Sequence, residues 1–382
     1  MHKLNRSLVL SSLRKRPAHT RAELAEITGL TRSTVSNLVD ELIDDRLVHE
    51  VGYSPSRGGR RGTQLELNPG GGCAIAVKIG KTSIHCILTN FVGDLLWQDC
   101  IVQQSAHVQP TLKKAETLIQ KAMDHNGNQL QLLGIGVGVS GIVGRDGTVQ
   151  QSVHLGWENI AFRQQWQEKY GIPVSVDNEV NLAALGESYY GSALNDLHFI
   201  YVEVGYGVGA GIVINGKLFR GVNGYAGELG FMMIDCNEIV PWESHVNIPA
   251  VVNYVRQELQ QGKSSALSSN HLTFQAIMEA LENGDSLVAA SLMRVGKNIG
   301  VGLASIVNAL DIPLIILGGE LGKRFEPYLG LIQEEINRHI IHANRKALDL
   351  RVSTLQPDAC LMGAIAQAFD DILQEPSWQS SL

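Results

Sequence analysis

A winged helix-turn-helix followed by an α/β body is the fold class this sequence predicts, on three observations. Near the N-terminus a capping box and a turn glycine separate two short amphipathic helices. That end is basic, with 11 Lys and Arg against 8 Asp and Glu in residues 1–70, while the whole chain carries a net charge of −7. Beyond residue 73 buried strands alternate with helices around a glycine-rich hairpin. At 382 residues and 44% hydrophobic content the chain can bury a substantial core in two or three domains. No apolar run reaches the ~20 residues of a membrane span, and the start Met1-His-Lys-Leu-Asn-Arg lacks the apolar core of a signal peptide. A cytoplasmic protein without a membrane partner is expected. The five cysteines show no C-x-x-C spacing, which argues against a disulfide framework and a thiolate zinc site.

In the N-terminal segment Leu8, Val9, Leu10 and Leu13 recur at helical spacing up to the basic run Arg14-Lys-Arg16 and Pro17. Thr20-Arg-Ala-Glu23 caps a second helix, with Leu24, Ala25 and Ile27 as its buried face and Thr28-Gly29 as its end. Thr31 caps a third, in which Val35, Leu38, Val39, Leu42 and Ile43 keep one apolar face. The arrangement leaves Arg32, Ser33, Thr34, Ser36 and Asn37 free to meet base edges in a major groove. Strands at 47–51 and 63–67 enclose a Ser/Pro/Gly/Arg loop, a wing carrying Arg57, Arg60 and Arg61 for phosphates or a narrow minor groove. The bland alternative is a small helical cap with a solvated face. Asn68-Pro-Gly-Gly-Gly72 reads as a hinge.

The body opens with strands at 74–79, 83–88 and 94–102, a helix at 112–125 and a strand at 133–139. A helix at 161–170 and a strand at 173–176 lead to Asp177-Asn-Glu-Val-Asn181. From Tyr201 to Gly230 β-branched residues alternate with Gly205, Gly207, Gly209 and Gly211 and turn at Asn215-Gly216. Such glycines let a backbone pass close to a phosphate or a sugar, or simply make a tight hairpin. Gly224-Tyr-Ala-Gly-Glu-Leu-Gly230 then sets Glu228 between glycines. A helix at 292–310, a strand at 314–317, a helix at 326–342, a strand at 350–354 and a helix at 359–373 complete the chain.

The succession Gly80-x-Thr82, Gly136-Val-Gly-Val-Ser-Gly-Ile-Val143, Leu155-Gly-Trp157, Asn178-Glu-Val-Asn-Leu-Ala-Ala-Leu-Gly-Glu187, Gly205 to Gly230, Leu317-Gly-Gly319 and Asp358-Ala-x-Leu-x-Gly-Ala364 resembles the ROK family of bacterial repressors and sugar kinases. With a winged helix in front, the resemblance is to its repressor branch, of the xylose and N-acetylglucosamine type. It implies a two-lobed, actin-like, ribonuclease H-like body of the sugar-kinase and Hsp70 ATPase type closing on a cleft. The expected domains are a DNA-binding module at 1–70, a first lobe at 71–190 and a second at 191–382, its last helix (about 359–373) returning to the first lobe.

Kinases of the family carry Asp-x-Gly-Gly-Thr in the first turn, where this chain has Lys78-Ile-Gly-Lys-Thr82. The replacement removes a carboxylate that organises magnesium. The family's catalytic Asp in Asn-Asp-x-Asn is Glu179 here, one methylene longer. Phosphoryl transfer is therefore not expected, and neither a cofactor nor a catalytic residue is implied. Sugar contacts carried over by the resemblance are His154, Asn178, Glu179, Glu228 and Glu243. Against these stand plainer roles: Asn178 and Glu179 as helix caps, His154 as a buried, satisfied histidine. The family's zinc ligands are replaced by Phe231 and a lone Cys236, so no metal is expected, and Phe231, Met232, Met233 and Trp242 are expected to hold that loop by packing. Gly318-Gly319 and Gly363-Ala364 match adenosine-side glycines and read as packing glycines.

The expected partners are double-stranded operator DNA, a small-molecule sugar effector and a second copy of the chain. The alternatives are a functional sugar kinase with a DNA-binding extension, and a body responding to a protein or phosphosugar. Repression against activation, and dimer against tetramer, stay open.

Overall fold

The computed structural model describes residues 2–15, 19–53, 61–234, 239–268, 272–356 and 358–374. The N-terminal module contains α1 (His2–Lys15), β1 (His19–Thr20), α2 (Arg21–Thr28), α3 (Arg32–Asp44), β2 (Val48–Tyr53) and β3 (Thr63–Leu67). The capping box forms: the Thr20 side chain accepts from the Glu23 N–H, and the Glu23 carboxylate accepts from the Thr20 N–H at 2.8 Å. Gly29 ends α2 with φ of 70°, and Thr31 Oγ1 accepts the Thr34 N–H at 3.2 Å to start α3. The strands pair antiparallel in the order β1-β3-β2, making the wing's base. Val9, Leu13, Leu24, Val35, Leu38, Leu42 and Leu65 fill the core.

One expectation fails here: Ile27 is 56% exposed rather than part of the buried face, because Leu24 and Ala25 already fill the contact of this eight-residue helix. The Asn68–Gly72 stretch is ordered. Pro69–Gly71 forms one 3-10 turn, Asn68 Nδ2 donates to the Arg46 carbonyl at 2.7 Å, and a Cβ on Gly72 (φ 142°) would lie 2.6 Å from Leu133 Cδ1. The glycine serves both the positive φ and the space.

The body continues with β4 (Cys73–Ile79), β5 (Ser83–Asn90), β6 (Leu95–Val102), α4 (Val108–Asn126), β7 (Leu132–Val139), β8 (Ile142–Val143), β9 (Val149–Ser152), β10 (Trp157–Ile160), α5 (Arg163–Tyr170), β11 (Val174–Asn178) and α6 (Glu179–Tyr190). The five-stranded sheet has the order β11-β7-β4-β5-β6, with β11, β7 and β4 parallel and the β4-β5-β6 pairs antiparallel. Strands β8–β10 form a separate antiparallel sheet that the sequence pattern does not announce.

Next come β12 (Phe199–Val204), β13 (Val208–Ile214), β14 (Lys217–Leu218), α7 (Glu243–Val246), α8 (Ile248–Gln260), α9 (Phe274–Glu282), α10 (Ser286–Leu310), β15 (Leu314–Gly318), α11 (Gly319–Gly322), α12 (Leu329–His339) and β16 (Asp349–Val352). Their sheet, taken as β16-β15-β12-β13-β14, repeats the succession of the first: two parallel pairings, then two antiparallel. Asn215 (φ 55°) and Gly216 (φ 69°) make the expected turn between β13 and β14. The helix expected at 326–342 is shorter, because the stretch containing Pro327 is a 3-10 segment.

Helix α13 (Ala359–Gln374) packs on α6, β7 and β4, so the compact units are Met1–Asp196 with Leu355–Leu382, and Leu197–Thr354. The N-terminal module falls in the first of these, with α1 resting on α13. A Cβ on Gly363 would overlap the Leu182 carbonyl, and one on Gly186 the Ala359 carbonyl, so α6 and α13 meet backbone to backbone. Gly363→Ala should therefore lower unfolding stability by about 1–3 kcal/mol in a urea titration. Gly330→Ala on α12, where nothing lies within 4 Å, should be neutral or stabilising by ~0.5–1 kcal/mol.

Candidate functional site

Two sets of residues carry chemistry. On α3, Arg32, Ser33 and Asn37 are exposed, while Thr34 and Ser36 are half-buried. The Ser33 and Thr34 hydroxyls lie 3.0 and 2.8 Å from Thr31 Oγ1, so both are partly engaged in the helix cap. Arg21 holds this helix in place, reaching Asp40 at 2.8 Å and Glu50 at 2.9 Å, and Arg6 pairs with Asp45 at 2.5 Å. Arg61 is exposed just before β3; Arg57 and Arg60 lie outside the described residues.

The second set is built on the strand ends of each unit. In the first unit Asn178 caps α6: its Oδ1 accepts from the N–H groups of Val180 (2.7 Å) and Asn181 (3.1 Å), and its Nδ2 donates to the Gly141 carbonyl at 2.7 Å. That leaves one amide hydrogen for a ligand, so Asn178 is mainly a structural residue. Glu179, the first residue of α6, lies 3.7 Å from Lys78 Nζ. The same ammonium donates to Asp358 Oδ2 at 3.2 Å, and Asp358 Oδ1 accepts the Cys360 N–H at 2.8 Å at the start of α13. Burial pushes the Asp358 carboxyl up, but the Lys78 ammonium and the Cys360 and Leu361 N–H groups outweigh it and hold it below its ordinary value. His154 is exposed, which excludes the buried-histidine alternative.

In the second unit chain meets chain at Gly227 and Gly230, whereas a Cβ on Gly205 of the hairpin would meet open space. Ala210 N–H donates to the Gly227 carbonyl at 2.8 Å, and Cβ atoms on Gly227 or Gly230 would run into the carbonyls of Ala210 and Val208. This seats Glu228 near Glu243, whose Oε2 accepts the Val208 N–H at 3.3 Å. Burial first, and then the negative charge of Glu243, push the Glu228 carboxyl above its ordinary value. The loop after it is not held as expected. Phe231 and Met233 are 61% and 58% exposed; Trp242 alone is fully buried, donating from Nε1 to the Asn298 carbonyl at 2.9 Å, with Met232 partly packed beside it. Cys236 lies outside the described residues.

The family's two inorganic partners do not fit these residues. Phe231 offers no zinc ligand, and no three His, Cys, Asp or Glu converge among the described residues. Where an acidic side chain would receive magnesium there is an ammonium already bound to two carboxylates. Sequence reasoning misses Asp358 as a member of this cluster, since 280 residues separate it from Lys78. Its only signal is its place in the Asp358-Ala-x-Leu-x-Gly-Ala364 motif.

The ROK family model matches residues 74–370. The chain belongs to the ROK family. Residues 3–62 match the MarR family of DNA-binding modules. The xylose repressor of Caldicellulosiruptor bescii is 32% identical, the match covering 99% of this chain and 98% of that protein. Among solved structures, a ROK family transcriptional regulator described as a homologue of the Escherichia coli Mlc protein superposes with a TM-score of 0.83 at 23% identity, covering 97% of each chain. A ROK glucokinase from Streptomyces griseus, solved with glucose and AMPPNP, superposes with a TM-score of 0.69 at 24% identity over 78% of this chain and 99% of that one. The ROK chain is thus a MarR-type winged helix on the actin-like body of its family.

The Glu228 carboxyl gives a test of the second-unit geometry. Its folded-state pKa lies above the ordinary 4.5, so its contribution favours the folded state below that pH and is lost as pH rises through the folded value. Glu228→Gln should be more stable than wild type near pH 8 in chemical denaturation. The two stability curves should converge as the pH falls below about 4.5.

Proposed function

We propose that this ROK protein is a cytoplasmic transcriptional repressor of carbohydrate-utilisation genes, binding a palindromic operator as a homodimer and released by a sugar of the xylose type. The observation that carries the reading is the match, along nearly the whole chain, to a xylose repressor with a DNA-binding module in front of the ROK body. Asn178, Glu179 and His154 in the first unit and Glu228 and Glu243 in the second are the proposed sugar contacts. A sugar releases DNA only through differential affinity for two states of the protein, one of which fits the operator less well.

The kinase reading is weaker. A general base must accept a proton from a sugar hydroxyl, yet Glu179 faces the Lys78 ammonium at 3.7 Å, and that lysine stands in place of the metal-organising carboxylate. In a coupled ADP-release assay with ATP, magnesium and D-xylose or D-glucose, no turnover above background is expected. Clear turnover abolished by Glu179→Gln overturns the non-enzymatic reading.

The repressor reading is tested by titrating the full chain against DNA that it selects from a random-sequence pool. D-Xylose should lower the affinity for that DNA. Arg32→Ala or Asn37→Ala should relax preference at individual base pairs, each worth ~1–3 kcal/mol. The Arg60→Ala/Arg61→Ala double variant should weaken binding to all sequences alike and flatten the salt dependence by up to ~0.9 per lost phosphate contact. Unchanged binding by that variant removes the wing from the interface.

A further inference from the structure

Two helices of the first unit begin at the same clamp. Glu179 opens α6, Asp358 caps α13, and both carboxylates face Lys78 Nζ. At their other ends the two helices meet α1 of the DNA reader. Tyr189 of α6 donates to Asp370 Oδ2 of α13 at 2.6 Å, and Arg14 of α1 reaches Asp370 Oδ1 at 3.5 Å. The Arg14 guanidinium lies 4.9 Å from the ring centre of Phe369, 5.4 Å from that of Phe91 and 5.8 Å from that of Tyr189, with Phe91 and Phe369 edge to face at 5.0 Å. From Glu179 to Tyr189, and from Asp358 to Asp370, the helical rise spans about 15–18 Å.

Where Gly186 and Gly363 bring the two backbones into contact, α6 and α13 have no side-chain layer between them to absorb a shift. They act as one strut with the clamp at its head and Arg14 at its foot. The foot is not a saturated contact. Arg14 Nε and Nη2 and the Tyr190 hydroxyl are buried without a hydrogen-bond partner among the described residues, and the guanidinium's hydrogen bond to Asp370 is long. A buried cation so sparingly satisfied has little to lose by rearranging, which suits a joint better than a permanent tie.

We propose that Arg14 is the positioning residue through which the α6/α13 strut sets the orientation of the DNA reader, so that a change at Glu179 and Lys78 alters operator affinity by way of Arg14. Arg14 touches neither DNA nor sugar in this scheme. Its loss therefore uncouples the two binding events without abolishing either.

The inference rests on the proposed sugar-released repressor, and the experiment separates the two. Operator affinity is measured with and without D-xylose, and D-xylose affinity by calorimetry, for wild type, Arg14→Met, Arg14→Lys and Tyr189→Phe. Typical couplings are ~5–150-fold. Arg14→Met should retain sugar affinity and sugar-free operator affinity within about threefold, while the coupling falls below about twofold. Arg14→Lys, which keeps the charge but not the planar stacking, should restore it only in part. Tyr189→Phe removes one hydroxyl with little risk to folding and should lower the coupling in the same direction. Coupling equal to wild type in both Arg14→Met and Tyr189→Phe overturns the proposal, as does loss of sugar affinity in step with coupling. Absence of any xylose effect on wild-type operator binding sinks the functional reading instead.

Discussion

One ammonium holds the heads of two helices. Lys78 Nζ sits between Asp358 at 3.2 Å and Glu179 at 3.7 Å, with all three side chains partly buried. Each helix start already favours a carboxylate, through its free N–H groups and dipole, by ~0.3–1 kcal/mol. Two such carboxylates at one place repel each other by more than that, since unit charges 4 Å apart interact by about 4 kcal/mol at an effective dielectric near 20. The lysine removes that repulsion. Its own desolvation cancels much of the attraction, so the cluster's net contribution to stability is small and its main effect is geometric. It fixes where α6 and α13 begin, on a strand whose preceding residues are buried in the first sheet.

The two sheets share one order of pairings; in the first unit the chemistry sits just past the end of a strand, and in the second it is held against one. Glu179 comes directly after β11; Glu228 is seated by glycines that press the segment after β14 onto β13. Strand ends suit this role because the ladder fixes the backbone up to the last pair while the next residue is free to turn outward. In the first unit the register carries this through: Asn178 is the last residue paired to β7, opposite Val139, and its side chain closes the start of α6. A capping residue with three hydrogen bonds can be replaced only at a cost to the helix that bears Glu179.

Local chemistry makes the N-terminal module legible. Thr20, Glu23, Gly29 and Thr31 act within three or four residues of themselves, and each does in the structure what its spacing predicts. The Asn215-Gly216 turn is legible for the same reason. What periodicity cannot supply is the identity of the covering surface. Ile27 and Phe231 have the apolar character of core residues, yet both are more than half exposed. A glycine needed for close packing and one needed for backbone freedom look alike in sequence; Gly72 serves both, with φ at 142° and Leu133, 61 residues away, against it. Lys78 and Asp358 are separated further still, so their pairing comes only from the fold.

The two acidic sites differ in what they lack. In the first unit the carboxylates have a cation and backbone N–H donors, with an ammonium already in place beside Glu179. In the second unit Glu228 and Glu243 face each other with no Lys or Arg paired to either among the described residues, and burial raises the Glu228 carboxyl. Beyond the Val208 N–H that Glu243 accepts, such crowded acceptors suit a neutral ligand bearing several hydroxyls, each an O–H donor that adds no charge. A phosphate would add negative charge to the pair and deepen the repulsion. The electrostatics of this pair therefore suit a neutral, hydroxyl-bearing ligand better than a phosphorylated one.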